Sequence, residues 1–271
     1  MVFRKLLGWR RGDDKGAGRG VEKGAELGAE KGAELGDEGG SKGGAARGSK
    51  RGVPRGTARG TPRSTERGTP RGAAQGETLY LIVGLGNPGK EYEATRHNAG
   101  FKAADRVADR IGASSYRRKF RALVAEGRHA GARVAIVKPQ TYMNVSGASV
   151  AEAIRFYKVD ISRLVVIFDD VDIPLFSVRV RAMGGPGTHK GMSSVIAWLG
   201  GKEGFPRVRI GIGKQPEGMD IKDYVLGRVR AADRPKMDES FDRAASAALD
   251  IVEFGVEKAM SRHNAARGAK A

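Results

Sequence analysis

A histidine, an aspartate and two asparagines stand in this 271-residue sequence where side chains could share work on one water molecule. Asn87 sits in GLGNPG, directly after the apolar run 79–83. Asn144 closes KPQTYMN, after the apolar run 133–137. Asp169 opens DDVD, after the apolar run 164–168. His97 lies within Thr95-Arg96-His97-Asn98. An imidazole takes a proton from water near neutral pH, because its ordinary pKa is about 6.5. A carboxylate on its far nitrogen would fix the tautomer and stabilise the imidazolium. Side-chain amides would hold the water and a polarised carbonyl. Together His97, Asp169, Asn87 and Asn144 make a set for direct hydrolysis by an activated water.

Other chemistries fit less well. Gly84-Leu85-Gly86-Asn87-Pro88-Gly89 matches G-x-G-x-x-G after a strand, a nucleotide-binding pattern. Its continuation is missing: Pro88-Gly89 delays the helix, and no apolar strand ending in an acid follows at the expected distance. A serine hydrolase would carry G-x-S-x-G, which is absent from the sequence. Asp169, Asp170 and Asp172 could in principle hold Mg²⁺. The four histidines, His97, His129, His189 and His263, lie far apart in sequence and show no zinc spacing. Cysteine is absent, which removes thiolate nucleophiles and disulfides. The expectation is a reaction with no metal and no cofactor.

Positioning these residues takes a sheet. The runs 79–83, 133–137 and 164–168 read as strands buried on both faces, as in a largely parallel sheet. Residues 121–126 are expected to pair with 133–137 through a turn near Gly131. Residues 176–181 and 207–212 alternate, as half-exposed strands do. Helical spacing covers 95–111, 144–157, 190–199 and 232–254; the last carries a one-sided stripe of Phe241, Ala244, Ala245, Ala248 and Val252. The expected fold is a single α/β domain over residues 78–271, with a twisted mixed β-sheet flanked by helices. Ligands in such sheets bind beyond the carboxyl ends of the strands, where Asn87, Asn144 and Asp169 would converge if those strands run parallel.

Residues 1–77 are of another kind. Glycine recurs at every fourth position from Gly8 to Gly76, with Ser64 the one exception. Each interior glycine costs a helix about 1 kcal/mol relative to alanine, and apolar residues are too few to offset chain entropy. The composition predicts a disordered Gly/Arg-rich low-complexity tail. Its apolar stretches near Met1–Arg11 are too short for a secretory signal, and the acids Asp13, Asp14, Glu22 and Glu26 argue against an organelle transit peptide. Lys and Arg outnumber Asp and Glu by 49 to 31, a formal net charge of +18, which favours a polyanionic partner such as nucleic acid. No run approaches the roughly 18 apolar residues that span a bilayer. A cytoplasmic monomer is expected.

LIVGLGNPGKEYEATRHNAGF (81–101), KPQTYMNVSGASV (138–150), DDVDIP (169–174), GGPGTHKGMSS (184–194) and FPRVRIGIGKQP (205–216) closely resemble bacterial-type peptidyl-tRNA hydrolase. The likeness runs in order over residues 78–260. It implies cleavage of the ester joining a peptide to tRNA, with peptidyl-tRNA as partner and without metal or cofactor. It implies His97 as the catalytic base, Asp169 as its orienting carboxylate and Asn87 as the reader of the substrate's peptide group. Tyr92, Tyr142, Met143 and Asn144 match positions that line the substrate cleft. Arg181 and Arg209 match basic positions that resemble a clamp for the tRNA 5′-phosphate, a task suited to bidentate guanidinium contacts.

One position departs from the family. Lys190, in His189-Lys190-Gly191, stands where an asparagine is usual. Lysine donates hydrogen bonds but cannot accept them. Its charge beside His97 would lower the histidine pKa. An active enzyme with altered substrate binding at this corner is expected. A second class of function, a non-catalytic RNA-binding or RNA-processing factor of the same fold, is weighed against the hydrolase; the presence of His97, Asp169, Asn87 and Asn144 speaks for the enzyme.

Overall fold

The computed structural model describes residues 77–265. The expectation for residues 1–76 therefore falls outside the described residues. Among the described residues seven strands form one sheet: β1 (Leu79–Gly84), β2 (Arg117–Lys119), β3 (Ala122–His129), β4 (Ala132–Pro139), β5 (Leu164–Asp170), β6 (Val178–Arg181) and β7 (Arg207–Gly211). Their spatial order is β2-β3-β4-β1-β5-β7-β6. Six α-helices accompany them among the described residues: α1 (Ala99–Arg110), α2 (Ser146–Tyr157), α3 (Lys190–Trp198), α4 (Ile221–Leu226), α5 (Arg234–Phe254) and α6 (Val256–Asn264).

β1 pairs in parallel with both β4 and β5, and β5 in parallel with β7. These are the three apolar runs plus one alternating run. β3 joins β4 antiparallel, and β6 joins β7 antiparallel. The sheet is mixed, as expected. Apolar residues on one face pack with α1, α5 and α6; those on the other pack with α2 and α3. The stripe on α5 is buried at all five positions.

The chain leaves β1 toward β4 on one side and returns to β5 on the other. A crevice opens beyond the carboxyl ends of strands at such a reversal. Asn87 follows β1, Asn144 follows β4, and Asp169 is near the end of β5, so all three arrive at the same end.

The glycines after β1 serve packing. A Cβ on Gly84 would stand 2.3 Å from the carbonyl oxygen of Gly100, and one on Gly100 would stand 2.4 Å from the carbonyl oxygens of Ile167 and Leu85. The start of α1 thus lies directly against the ends of β1 and β5. That contact seats His97 two residues before α1, over Asp169. Within GLGNPG, Gly84 and Gly86 meet this close approach, the second against the Phe101 ring of α1, while Gly89 has a φ of 113°.

Candidate active site

His97 lies in a single 3-10 turn, Arg96–Asn98, that leads into α1. Backbone bonds fix this turn: the Arg96 N–H donates to the Gly227 carbonyl (3.1 Å) and Val229 N–H to the Ala94 carbonyl (3.3 Å). The Arg96 guanidinium lies over the Tyr224 ring, 4.5 Å from its centroid. The histidine is thereby tied to α4 as well as to α1.

His97 Nδ1 is 3.0 Å from both oxygens of Asp169. A carboxylate only accepts, so Nδ1 carries the proton and donates. Nε2 is left with its lone pair. Asp169 is 2 % exposed and His97 8 %. Burial disfavours the imidazolium of His97, but the charge of Asp169 and its hydrogen bond outweigh this and raise the pKa above the ordinary value; Lys190 pulls it down. The charge of Lys190 therefore acts in the expected direction without deciding the outcome. Asp169 itself is held well below the usual carboxylate range: burial opposes ionisation, and the two imidazoles beside it more than compensate.

The second imidazole is His189, and the sequence gives no spacing from which to expect it. It caps α3: its Nδ1 accepts from the Met192 backbone N–H (3.1 Å). Its proton must then sit on Nε2, which donates to Asp169 Oδ1 at 3.2 Å. The rings of His97 and His189 are 4.9 Å apart, centroid to centroid. The histidines, distant in sequence, are brought together by the fold in this pair. Ligand atoms of His97, Asp169 and His189 lie within 4.8 Å of one another. A cation among them would have to displace two N–H protons already bonded to the carboxylate. Asp170 is engaged elsewhere, accepting from Arg209 Nε at 2.6 Å. Asp169 and Asp170 are thus committed to imidazole and guanidinium partners.

Asn87 is 6 % exposed and fully oriented. Its backbone N–H donates to Asn98 Oδ1 (2.8 Å), and Asn98 Nδ2 returns a bond to its carbonyl (3.0 Å). Its side-chain Oδ1 accepts from the Met143 N–H (2.8 Å). One bond thus joins the loop after β1 to the loop after β4. The acceptor of Asn87 being engaged, its Nδ2 is the group offered to a ligand; among the described residues no protein group accepts from it.

A cavity of about 670 Å³ connects these groups. Asn87, His97, Asp169, Tyr142, Met143, Asn144 and Lys190 line it, as do Arg181 and Arg209. Tyr92 is not on its wall; its ring stands edge-on to Tyr142, centroids 6.5 Å apart. Ile221, Val225 and Leu226 of α4 and the exposed Met183 add an apolar side. Arg207, which no sequence motif marks as a site residue, is 2 % exposed. Its Nη1 donates to the Gly185 carbonyl (3.0 Å) and its Nη2 to the Glu203 carbonyl (2.9 Å). Burial pushes its guanidinium down to about 10, with Glu203 opposing and Arg209 adding to the fall. It fastens the glycine-rich loop that forms one wall of the cavity.

The family model described as peptidyl-tRNA hydrolase matches residues 81–271. The chain is 47% identical over 186 residues to the peptidyl-tRNA hydrolase of Caldanaerobacter subterraneus subsp. tengcongensis, covering 69% of this chain and 100% of that one. It is 48% identical over 186 residues to that of Carboxydothermus hydrogenoformans, covering 69% and 98%. The crystal structure of peptidyl-tRNA hydrolase from Acinetobacter baumannii superposes with a TM-score of 0.65 at 34% identity, covering 69% of this chain and 95% of that one.

Proposed function

Because the chain belongs to the peptidyl-tRNA hydrolase family and hydrolyses peptidyl-tRNA, we propose that His97 is the general base of that reaction. The observation that carries this is the Nδ1 contact to Asp169, which leaves Nε2 as the unprotonated nitrogen of a ring on the cavity wall. A water held between Nε2 and the ester carbonyl loses its proton to Nε2 as its oxygen attacks. Asp169 stabilises the imidazolium that forms. When the carbonyl re-forms, the ester C–O bond breaks. The proton then passes from His97 to the departing ribose oxygen. The products are a peptide with a free carboxylate and a tRNA with a free hydroxyl.

Asn87 Nδ2 donates to the carbonyl that blocks the substrate's amino nitrogen. Oδ1 already accepts from the Met143 N–H, which leaves Nδ2 as the free donor for this contact. Asn144 and Tyr142 border the same cavity and hold the acyl end, with Tyr92 supporting Tyr142 edge-on. Arg181 and Arg209 receive phosphate: with Nε of Arg209 bonded to Asp170, its terminal nitrogens are the ones free for a ligand. Lys190 adds a third cation on the cavity rim.

The residues named for the reaction line one cavity and call for no group from a second copy. The absence of cysteine agrees with a reducing compartment such as the cytoplasm. Among the described residues no helix is long and apolar enough to cross a membrane. The RNA-processing alternative is not favoured, because family and relatives are hydrolases over the whole matched region.

The test is release of free tRNA from N-acetyl-aminoacyl-tRNA, with unblocked aminoacyl-tRNA as control. An unblocked amine offers no carbonyl to Asn87, and an unpaired buried amide costs about 1–3 kcal/mol. The blocked substrate should be preferred by about 10- to 100-fold in kcat/KM. Equal rates for the two would remove Asn87 from substrate recognition.

A further inference from the structure

Away from the cavity, four cations occupy consecutive or nearly consecutive positions on one hairpin. Arg117, Arg118 and Lys119 form β2, all exposed, and Arg121 follows in the turn to β3. β2 is the outermost strand on its side of the sheet. Arg121 is paired with Glu152, and Lys119 lies 3.6 Å from Glu126, an acid shared with Arg133. Among the described residues no carboxylate pairs with Arg117 or Arg118. Beside them Phe156 is 61 % exposed at the end of α2, and the Lys119 ammonium stands 5.9 Å from its ring centroid. A shallow hollow of about 410 Å³ runs between Arg118, Lys119, Arg121 and Gln140.

The hairpin is at the same end of the sheet as the catalytic groups. The Gln140 N–H donates to the Arg121 carbonyl at 2.7 Å. Gln140 stands only two residues before Tyr142 of the cavity wall, a reach of about 7 Å in extended chain. A polyanion entering the cavity by its end passes within reach of this surface.

We propose that the β2–β3 hairpin, with Phe156, binds the phosphodiester backbone of the substrate tRNA at a point beyond its reacting end. The proposal rests on the hydrolase reading and extends it. Charge complementarity carries it: unpaired guanidiniums favour phosphate through paired N–H donors. An exposed ring next to cations is the arrangement that meets a nucleic-acid chain rather than an acidic peptide. Charges alone would suffice to keep an edge strand from pairing with another chain, but that task does not call for an exposed ring.

The experiment uses the full chain and the variant Arg117→Gln/Arg118→Gln. Binding of deacylated tRNA is measured across a salt series, and cleavage is measured on N-acetyl-aminoacyl-tRNA and on a short substrate, an N-acetyl-aminoacyl ester of the terminal CCA trinucleotide. Each lost phosphate contact lowers the slope of log K against log salt by about 0.7–0.9, so loss of two should make the variant slope smaller by about 1.4–1.8. KM for the full tRNA should rise by about fivefold to tenfold, with the short substrate unchanged. An unchanged slope and KM would overturn the proposal and leave the hairpin as a protected sheet edge. An equal loss on both substrates would overturn it too, since it would place the defect at the reacting end. If the parent cleaves neither substrate, the hydrolase reading fails, and the slope for deacylated tRNA still decides the surface.

Discussion

His97→Ala should lower kcat/KM for N-acetyl-aminoacyl-tRNA by at least a thousandfold while leaving the Kd for deacylated tRNA within about twofold of the parent. Removal of a positioned general base costs about 10²–10⁴ in rate. Here the loss falls at the upper end, because the only other imidazole nearby cannot substitute. His189 is held by both nitrogens, Nδ1 accepting from Met192 and Nε2 donating to Asp169. Neither nitrogen is free to take a proton from water. The tRNA contacts assigned to Arg181, Arg209 and the hairpin are untouched, so binding persists. A single-turnover assay with saturating enzyme separates the two effects. Retention of more than a tenth of the parent rate would contradict the assignment.

Asp169→Asn should lower kcat by at least a hundredfold with little change in KM. The substitution keeps shape but replaces one acceptor oxygen by a donating NH₂. His189 must keep its proton on Nε2, because Met192 occupies Nδ1, so it claims the remaining oxygen. The new NH₂ then faces His97 Nδ1, which must become the acceptor. The proton of His97 then sits mainly on Nε2, and only the minor tautomer with a free Nε2 still acts as a base. The conservative change is therefore damaging because of His189. A kcat within threefold of the parent would show that Asp169 does not set the tautomer. A near-parent thermal midpoint for the variant would separate this effect from unfolding.

Much of the architecture is written in local pattern. Continuous apolar runs mark β1, β4 and β5 because strands buried on both faces have no polar face to display. The stripe on α5 is legible because one side of a long helix meets the sheet. β2 is not legible: Arg117-Arg118-Lys119 has no apolar alternation, and pairing with β3 alone makes it a strand. α4 is six residues long, too short for a periodic signal, although Asp220 caps it through the Lys222 N–H. α6 follows α5 after Gly255, whose φ of 84° lies in the left-handed region and permits the break.

At the site, His97, Asp169 and Asn87 are legible because each follows or faces the end of an apolar strand. His189 is not, because it reaches Asp169 from the N-cap of α3, which follows no apolar strand. Arg207 reads as one more charge on an alternating strand, yet it is buried and bonded to two carbonyls. Its role depends on a loop fold that sequence spacing does not encode. The direction in which Asn87 points is likewise set by a backbone N–H from another loop. Tyr92, expected on the cleft, is off the cavity wall and meets Tyr142 edge-on.

The most direct test is the pH dependence of kcat/KM for the parent and for Asp169→Asn. A base must be neutral to act, so the parent rate should rise with pH through a single inflection above 6.5, the side to which Asp169 lifts His97 against burial and Lys190. In the variant the lifting charge is gone while burial and Lys190 remain, so the inflection of the residual activity should move down, below 6.5. A parent profile without that inflection, or one that stays in place when the carboxylate is removed, would contradict a proton taken by His97 under the control of Asp169.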